Sequence, residues 1–390
     1  MDVTIAQLLK QLMNPFDPDM ASMIHNEMRK HGIKLVLGYT VEGFKEKDNG
    51  VEVLLKDNPS LQVDMVVLAI GVTPDTVLAK EAGLELGIKE SIVVNDRMET
   101  SVPDIYAAGD AVQVKHYVTG NDALISLAGP ANKQGRIIAD NICGGDSRYL
   151  GSQGSSVIKV FDMTAATTGI NETNAKKSGL EVDTVILSPM SHAGYYPGGK
   201  VMTMKVVFEK ESYRLLGAQI IGYEGVDKRI DVLATAIHAG LNATQLKDLD
   251  LAYAPPYSSA KDPVNMAGFM IDNIAKGTLK QWHLEDMDKI SKDKDVVLLD
   301  VRTVGEFSMG HIDGFKNIPV DELRERISEI EKGKPVYLIC QSGLRSYIAS
   351  RILEGNGYET YNFSGGFRFY DAVVNDRALI ERAYACGMDY

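Results

Sequence analysis

The residues best suited to chemistry lie in the heptad Cys340-Gln341-Ser342-Gly343-Leu344-Arg345-Ser346. A thiolate is a nucleophile, and it is favoured where backbone N–H groups converge at a helix N-terminus. The apolar run Lys334–Ile339 leads into the heptad as a strand, and a helix is expected from Ser346. Cys340 is therefore expected at a strand end and at the mouth of a helix, where a thiolate or a persulfide anion is stabilised. Gly343 can take the backbone turn that aims amides inward, and Arg345 adds a fixed positive charge. A buried core cysteine would explain Cys340 alone, but not the whole heptad. Cys143, at a helix end, and Cys386, near the tail, need only that plainer explanation. Three cysteines with no C-x-x-C pair and no zinc spacing make neither a disulfide framework nor a metal site. They point to a reducing compartment.

The elements that must hold this loop can be read around it. Asp295–Arg302, D-V-V-L-L-D-V-R, is expected to be a buried strand, and Val320–Ile330 a helix. Upstream, D-V-T-I-A-Q reads as a strand entered at once, which predicts a domain cut short at its front. A helix is expected over Pro18–His31, stopped at Gly32. Short β-rich runs follow, and the run Met65–Ile70 fits a strand buried on both faces of a sheet. Val66–Thr76 reads as a strand ending in a Gly and a Pro, and Thr100–Ala111 as a strand ending in Gly109-Asp110. A helix is expected over Pro130–Ile142, ending at Gly144-Gly145. Residues 155–275 alternate strands with a helix over Val226–Ala239 and read as an α+β unit. The linker Lys276–Gln281 leads to the last domain.

At 390 residues the chain is too long for one ordinary core, so two or three domains are expected. A net charge of −12 argues against a general nucleic-acid or membrane-surface role. No apolar run reaches the roughly 18 residues of a membrane span, and the N-terminus carries no signal core. The expected location is the cytoplasm, with small-molecule partners and neither nucleic acid nor membrane.

Several motifs resemble known families. Asp300–Arg302, Glu306-Phe307, Gly310–Gly314, Asn317–Pro319, the C-x-x-G-x-R-S of Cys340–Ser346, and Gly365-Gly366 resemble the single-domain rhodaneses over about 283–384. That resemblance implies that Cys340 accepts a sulfane sulfur and passes it on. Gln341, Ser342, Gly343, Leu344 and Ser346 would form the persulfide loop with Arg345, while Asp300, Arg302 and His311 tie loops together. Cysteine phosphatases share the fold, but their loop has one more residue between Cys and Arg, so the four residues here favour sulfur.

The Val66–Thr76 and Thr100–Ala111 motifs, with the helix that follows, resemble the pyridine nucleotide–disulfide oxidoreductases. The resemblance implies FAD and NAD(P)H, with Gly71 near the nicotinamide nucleotide. Gly109, Asp110, Pro130 and Ala131 would then border the flavin. Asn14–Ala21, Pro130–Ile142, Tyr195–Gly198 and Leu251–Gly268 narrow it to coenzyme A-disulfide reductases, a subset of which carries a rhodanese tail. Their implied substrates are CoA disulfide, CoA persulfide or polysulfide, with thiosulfate a further sulfur donor. The implied assembly is a homodimer in which Tyr195 and Tyr253 reach the partner subunit's active cysteine.

The chain departs from that pattern in three ways. It has no G-x-G-x-x-G, it lacks the redox cysteine of the reductase, and Gln7 stands where an acidic residue would hold an adenine ribose. The expected class is thus α/β: a truncated reductase of two dinucleotide-binding domains, an α+β dimerisation domain and a C-terminal α/β rhodanese domain. The expected units are 1–90, part of an NAD(P)-binding domain; 91–150, the C-terminal part of an FAD-binding domain; 151–276, dimerisation; and 283–390, rhodanese. The leading functional reading is part of an FAD-dependent CoA-disulfide or polysulfide reductase with a sulfurtransferase tail. The alternatives are a stand-alone sulfurtransferase on an inactive reductase scaffold, a rhodanese fold used for binding alone, and a phosphatase.

Overall fold

The computed structural model describes residues 1–386; residues 387–390 of the expected rhodanese unit, and the side chain of Cys386, lie outside what it describes. The chain opens with β1 (Thr4–Gln7), α1 (Pro18–Lys30) and β2 (Lys34–Leu37), and β1 pairs with β2 in parallel. Pro18 at the first helical position and Arg29 and Lys30 in the last turn suit the termini of α1. A meander of β3 (Val41–Lys47), β4 (Gly50–Leu55) and β5 (Leu61–Val63) follows, then the short α2 (Val77–Glu81). The next unit holds β6 (Ile92–Val93), β7 (Val112–Lys115), β8 (Asp122–Ala123) and α3 (Ala128–Ile142).

Residues 156–275 form the best-packed unit. It comprises β9 (Ser156–Val160), β10 (Met163–Gly169), α4 (Glu172–Lys177), β11 (Val182–Leu187), β12 (Met202–Glu209), β13 (Leu215–Gly222), α5 (Val226–His238) and α6 (Pro263–Ala275). The five strands make an antiparallel sheet in the order β11-β12-β13-β10-β9. Along β10 to β13 its alternating residues are buried on both faces. Val185, Leu187, Met204, Val206 and Ile220 pack under α5 and α6, whereas Ile186, Ala165 and Ile221 pack against Met20, Ala21 and Ile24 of α1.

The last unit comprises β14 (Gln281–Trp282), α7 (Met287–Ile290), β15 (Val297–Asp300), α8 (Val304–Met309), β16 (Lys316–Asn317), β17 (Val336–Ile339), α9 (Leu344–Glu354), β18 (Thr360–Phe363) and α10 (Gly366–Cys386). Its parallel sheet has the order β14-β18-β17-β15-β16, so β17 lies at the centre. Phe369 and Val373 of α10 join the same apolar cluster as α1 and the antiparallel sheet. The polar contacts of this junction are also buried. Asp376 accepts from Arg29 and pairs with His25 Nδ1 at 2.8 Å, while Lys205 reaches Asp19 and Glu172 at 2.7 Å each. Burial disfavours the Lys205 ammonium, but Asp19, Asp17 and Glu172 outweigh it and raise its pKa.

Five expectations are corrected. Met65–Ile70 is not a buried strand, nor is the overlapping Val66–Thr76 a strand: the run pairs with no strand among the described residues, and Leu68 and Ile70 are 64% and 89% exposed. Without a ladder on either side, the run has nothing to bury against. Thr100–Ala111 is likewise not a strand. Pro103 and Asp104, at φ +64°, turn the chain back, so that Thr100 N–H meets the Ile105 carbonyl at 2.9 Å. The helix expected over Val320–Ile330 is a set of tight turns with one short 3-10 segment at Ile327–Glu329. Leu323 and Ile330 are both buried, and Arg326 is drawn to Glu322 and Glu329. The helix expected to begin at Pro130 begins two residues earlier, at Ala128.

Candidate active site: a cysteine loop and a tyrosine pair

Cys340 follows the central strand β17 directly and is completely buried. Gly343 has φ +95°, in the left-handed region that glycine enters freely, and its N–H points at Cys340 Sγ at 3.1 Å. The Ser346 hydroxyl lies 3.2 Å from Sγ and 3.1 Å from the Gly343 carbonyl oxygen, so its one proton is shared between them. The sulfur thus faces the first turn of α9 with a backbone donor and a hydroxyl donor, the arrangement that stabilises a sulfur anion. The loop is clamped from behind. Phe367 N–H donates to the Cys340 carbonyl at 2.8 Å, and Asn362 Nδ2 donates to the Gly343 carbonyl at 3.2 Å. At Gly366 a Cβ would lie 2.6 Å from Ser342 N, so only glycine lets β18 turn into α10 here. Gln341 and Ser342 are half-buried, whereas Leu344 is exposed.

Arg345 does not offer a free charge. Its guanidinium makes two parallel bonds to Glu306, at 2.6 and 2.7 Å. Glu306 also accepts from the Thr303 N–H at 3.0 Å and its hydroxyl at 2.8 Å, which caps α8. The Arg345 bonds hold the Glu306 carboxyl down to about 2, against partial burial and with help from Thr303. Asp300 and Arg302 form a buried pair at 2.7 Å, and Arg302 reaches the Gly310 carbonyl at 2.8 Å. His311 Nδ1 bonds the Phe307 carbonyl at 3.0 Å. Arg302 thus ties its loop to the Gly310 turn, whereas the contact of His311 is local to the end of α8.

The two tyrosines singled out from sequence lie against each other. Tyr195 and Tyr253 are 58 positions apart, yet their hydroxyl oxygens lie 2.5 Å from each other. Both are exposed, at 76% and 45%. The hydrogen bond from Tyr195, with smaller help from desolvation and charge, raises the Tyr253 pKa. Arg229 on α5 holds the two loops together from below. Buried, it donates to the Ser191 carbonyl at 2.9 Å, Asp262 at 3.0 Å and Ser258 Oγ at 3.1 Å. The Ala193 N–H completes the join on the Ser258 carbonyl at 3.0 Å.

The residues expected at the flavin are brought together only in part. Gly109, at φ +82°, donates its N–H to buried Gln134 of α3 at 2.7 Å, and its missing Cβ would lie 3.8 Å from Ala131 Cβ. Asp110 is exposed beside it, and Pro130 lies in the first turn of α3. Gly71 belongs to the exposed run, with nothing within 4 Å of where its side chain would begin. Gly109, Asp110, Pro130 and Ala131 thus lie together at the start of α3, and Gly71 is not among them. A dinucleotide also needs a glycine turn whose amides converge on its pyrophosphate, and the sequence contains no G-x-G-x-x-G. The chain's own residues therefore do not fit a complete FAD or NAD(P)H cradle.

Residues 1–135 match the family model for pyridine nucleotide-disulphide oxidoreductases, residues 155–263 match the dimerisation domain of that family, and residues 283–372 match the rhodanese-like domain. The crystal structure of reduced Bacillus anthracis CoADR-RHD superposes with a TM-score of 0.93 at 46% identity, over 97% of this chain and 67% of that one. This chain belongs to the pyridine nucleotide-disulphide oxidoreductases. The chain also aligns with a NAD-dependent persulfide reductase from A. fulgidus, with a TM-score of 0.87 and 39% identity over 95% of this chain and 68% of that one. The CoA-dependent NAD(P)H sulfur oxidoreductase of Pyrococcus abyssi is 36% identical over 253 residues, 65% of this chain and 56% of its own length. The chain spans 56% to 59% of the length of the curated relatives it matches.

Glu306, Asn362, Arg229 and Asp262 were not picked out from sequence as site residues. Thr303-x-x-Glu306 is a capping-box signature, so the helix that carries Glu306 was open to reading. Arg229 and Asp262 carry no local signal, being 33 positions apart.

Proposed function

We propose that this chain is part of an FAD-dependent NAD(P)H reductase of CoA disulfide, CoA persulfide or polysulfide, and that its rhodanese domain passes sulfane sulfur through a Cys340 persulfide. The observation that carries the transfer step is the buried Cys340 Sγ, with the Gly343 N–H and the Ser346 hydroxyl aimed at it. The reductase half of the reading rests on the family and on relatives named as persulfide and CoA-dependent sulfur reductases.

The transfer balances without a redox agent. The Cys340 thiolate attacks the outer sulfur of a donor, and the donor's S–S bond breaks as the leaving group takes the bonding pair. Cys340 then holds the sulfur as a persulfide anion, against the same two donors. An acceptor thiolate takes the outer sulfur and restores the Cys340 thiolate. FAD and NAD(P)H would supply hydride to a disulfide or persulfide. No hydride step is assigned to this chain's residues, because its cradle is partial.

We further propose that Tyr195 and Tyr253 act as a pair at a site completed by a second subunit of a homodimer. Their short hydrogen bond lets one phenol donate a proton while the other keeps it oriented. Gly109, Asp110, Pro130 and Ala131 would face the flavin.

The test is sulfur transfer from thiosulfate or polysulfide to cyanide. Cys340→Ser is expected to lower it on the order of 10³-fold or more. Retained transfer in that variant would overturn the assignment. The reductase half is read from NAD(P)H-dependent sulfide release from CoA persulfide by the flavin-loaded protein, which the sulfurtransferase reading alone does not predict.

A further inference from the structure

We propose that Glu306 sets the charge of the sulfur donor: by neutralising Arg345 at the rim of the Cys340 loop, it favours monoanionic or neutral donors over dianions. This rests on the Cys340 transfer reading. Arg345 follows Leu344 in the first turn of α9, two residues beyond the Gly343 amide that touches the sulfur. A guanidinium there would ordinarily draw an anion inward. Here each of its two terminal nitrogens gives one N–H to Glu306, at 2.6 and 2.7 Å, so a carboxylate lies against the guanidinium. Glu306 is held in turn by two bonds from Thr303 and cannot swing aside without uncapping α8. Arg302, a buried cation of the same region, is neutralised by Asp300 at 2.7 Å. Arg368, whose N–H contacts the Gln341 carbonyl at 3.2 Å, has an exposed side chain, so water and salt screen its charge. The loop therefore receives a donor with hydrogen-bond donors and almost no net charge.

Two donors of similar size separate charge from shape. Thiosulfate, a dianion, transfers its outer sulfur to the Cys340 thiolate and leaves as sulfite. Methanethiosulfonate, a monoanion, does the same and leaves as methanesulfinate. In both, the donor's S–S bond breaks as the Cys340 persulfide forms, and cyanide then removes the sulfur as thiocyanate. The quantity to measure is the ratio of kcat/KM for thiosulfate to kcat/KM for methanethiosulfonate. Glu306→Gln keeps the side-chain shape and removes one negative charge, and it is expected to raise that ratio on the order of tenfold. Glu306→Asp keeps the charge and is expected to hold the ratio within about twofold of wild type. In Glu306→Gln, thiosulfate turnover should also become more sensitive to salt than methanethiosulfonate turnover. An unchanged ratio, or a parallel fall for both donors, would mean that Glu306 only caps α8, and the proposal would be overturned. If Glu306→Gln does not fold, the wild-type protein still decides. Equal salt dependence for the two donors supports neutralisation, and a steeper fall for thiosulfate overturns it. Turnover of neither donor by the wild type would sink the Cys340 reading itself, an outcome distinct from an unchanged ratio.

Discussion

Two apolar runs of this chain have nearly the same composition and opposite surroundings. V-Y-L-I, Val336–Ile339, is the central strand β17 of a parallel sheet, flanked by β15 and β18, with Leu338 completely buried. V-V-L-A-I, Val66–Ile70, forms no ladder, and its Leu68 is 64% exposed. Strand propensity is satisfied only where neighbouring strands supply hydrogen-bond partners and covering side chains. In the rhodanese domain those neighbours lie within about forty positions of β17 on either side, so the sheet and its cysteine loop are complete in this chain. In residues 1–135, by contrast, the strands supply only small sheets of two and three strands.

The comparison can be broken at several points. The largest expected effect is at Arg229, where a complete network is built from polar groups. Arg229→Ala leaves the Asp262 carboxylate buried without its partner and should cost about 3–5 kcal/mol in chemical unfolding of the antiparallel sheet. A loss below about 1 kcal/mol would show that the tyrosine loops are held by other means. Next, Leu338→Ala should cost about 2–5 kcal/mol, and Leu68→Ala should fall within about 0.5 kcal/mol of zero. Equal losses at the two leucines, measured by urea titration, would erase the contrast between the runs. Third, Gly343→Val places a β-branched side chain at φ +95° and misdirects the amide at Sγ. Sulfur transfer should fall about 10²-fold, while the unfolding of the antiparallel sheet stays put. A matching loss in that sheet would show that the loop is not local.

The smallest effect concerns docking. His283 Nε2 lies 3.1 Å from Asp183 on β11. Burial opposes its charge, but the hydrogen bond and charge of Asp183 outweigh this and raise its pKa. A raised histidine stabilises fully below its unfolded value of about 6.5 and loses that contribution as pH rises through the folded value. Stability should therefore fall by up to about 1 kcal/mol from roughly pH 6 to 8.5, and His283→Asn should flatten the fall. The Asp183 carboxyl, which titrates far lower, stays ionised across that window.

What was legible in the sequence follows the same division. The Cys340 loop was readable because its strand, glycine, helix start and nucleophile lie in one consecutive stretch. Tyr195 and Tyr253 were each singled out through resemblance, but neither their hydrogen bond nor their anchor Arg229 was, since the partners of Arg229 come from two separate loops. Met65–Ile70 was misread because composition reports a capacity for burial and not the presence of a cover. Thr100–Ala111 was misread because Pro103 and Asp104 were weighed less than the apolar residues around them. Val320–Ile330 was misread because its charged residues pair over three and four positions in a tight turn as well as they would on a helix.

The antiparallel sheet ends at β11, a strand with one side free of sheet partners. Part of that free side is taken by the rhodanese domain, where the Ile186 N–H donates to Ser364 Oγ at 3.0 Å. Ile186 itself packs in the cluster that includes Phe369 and Val373. An uncovered strand edge is a template on which further strands add. The rhodanese domain thus also serves as a stopper against runaway sheet extension. A polypeptide that stopped at the 276–281 linker would bare both the free N–H and the apolar surface beneath it. Sticking of such a product to itself would be a loss of insulation, with no single residue of the sheet altered.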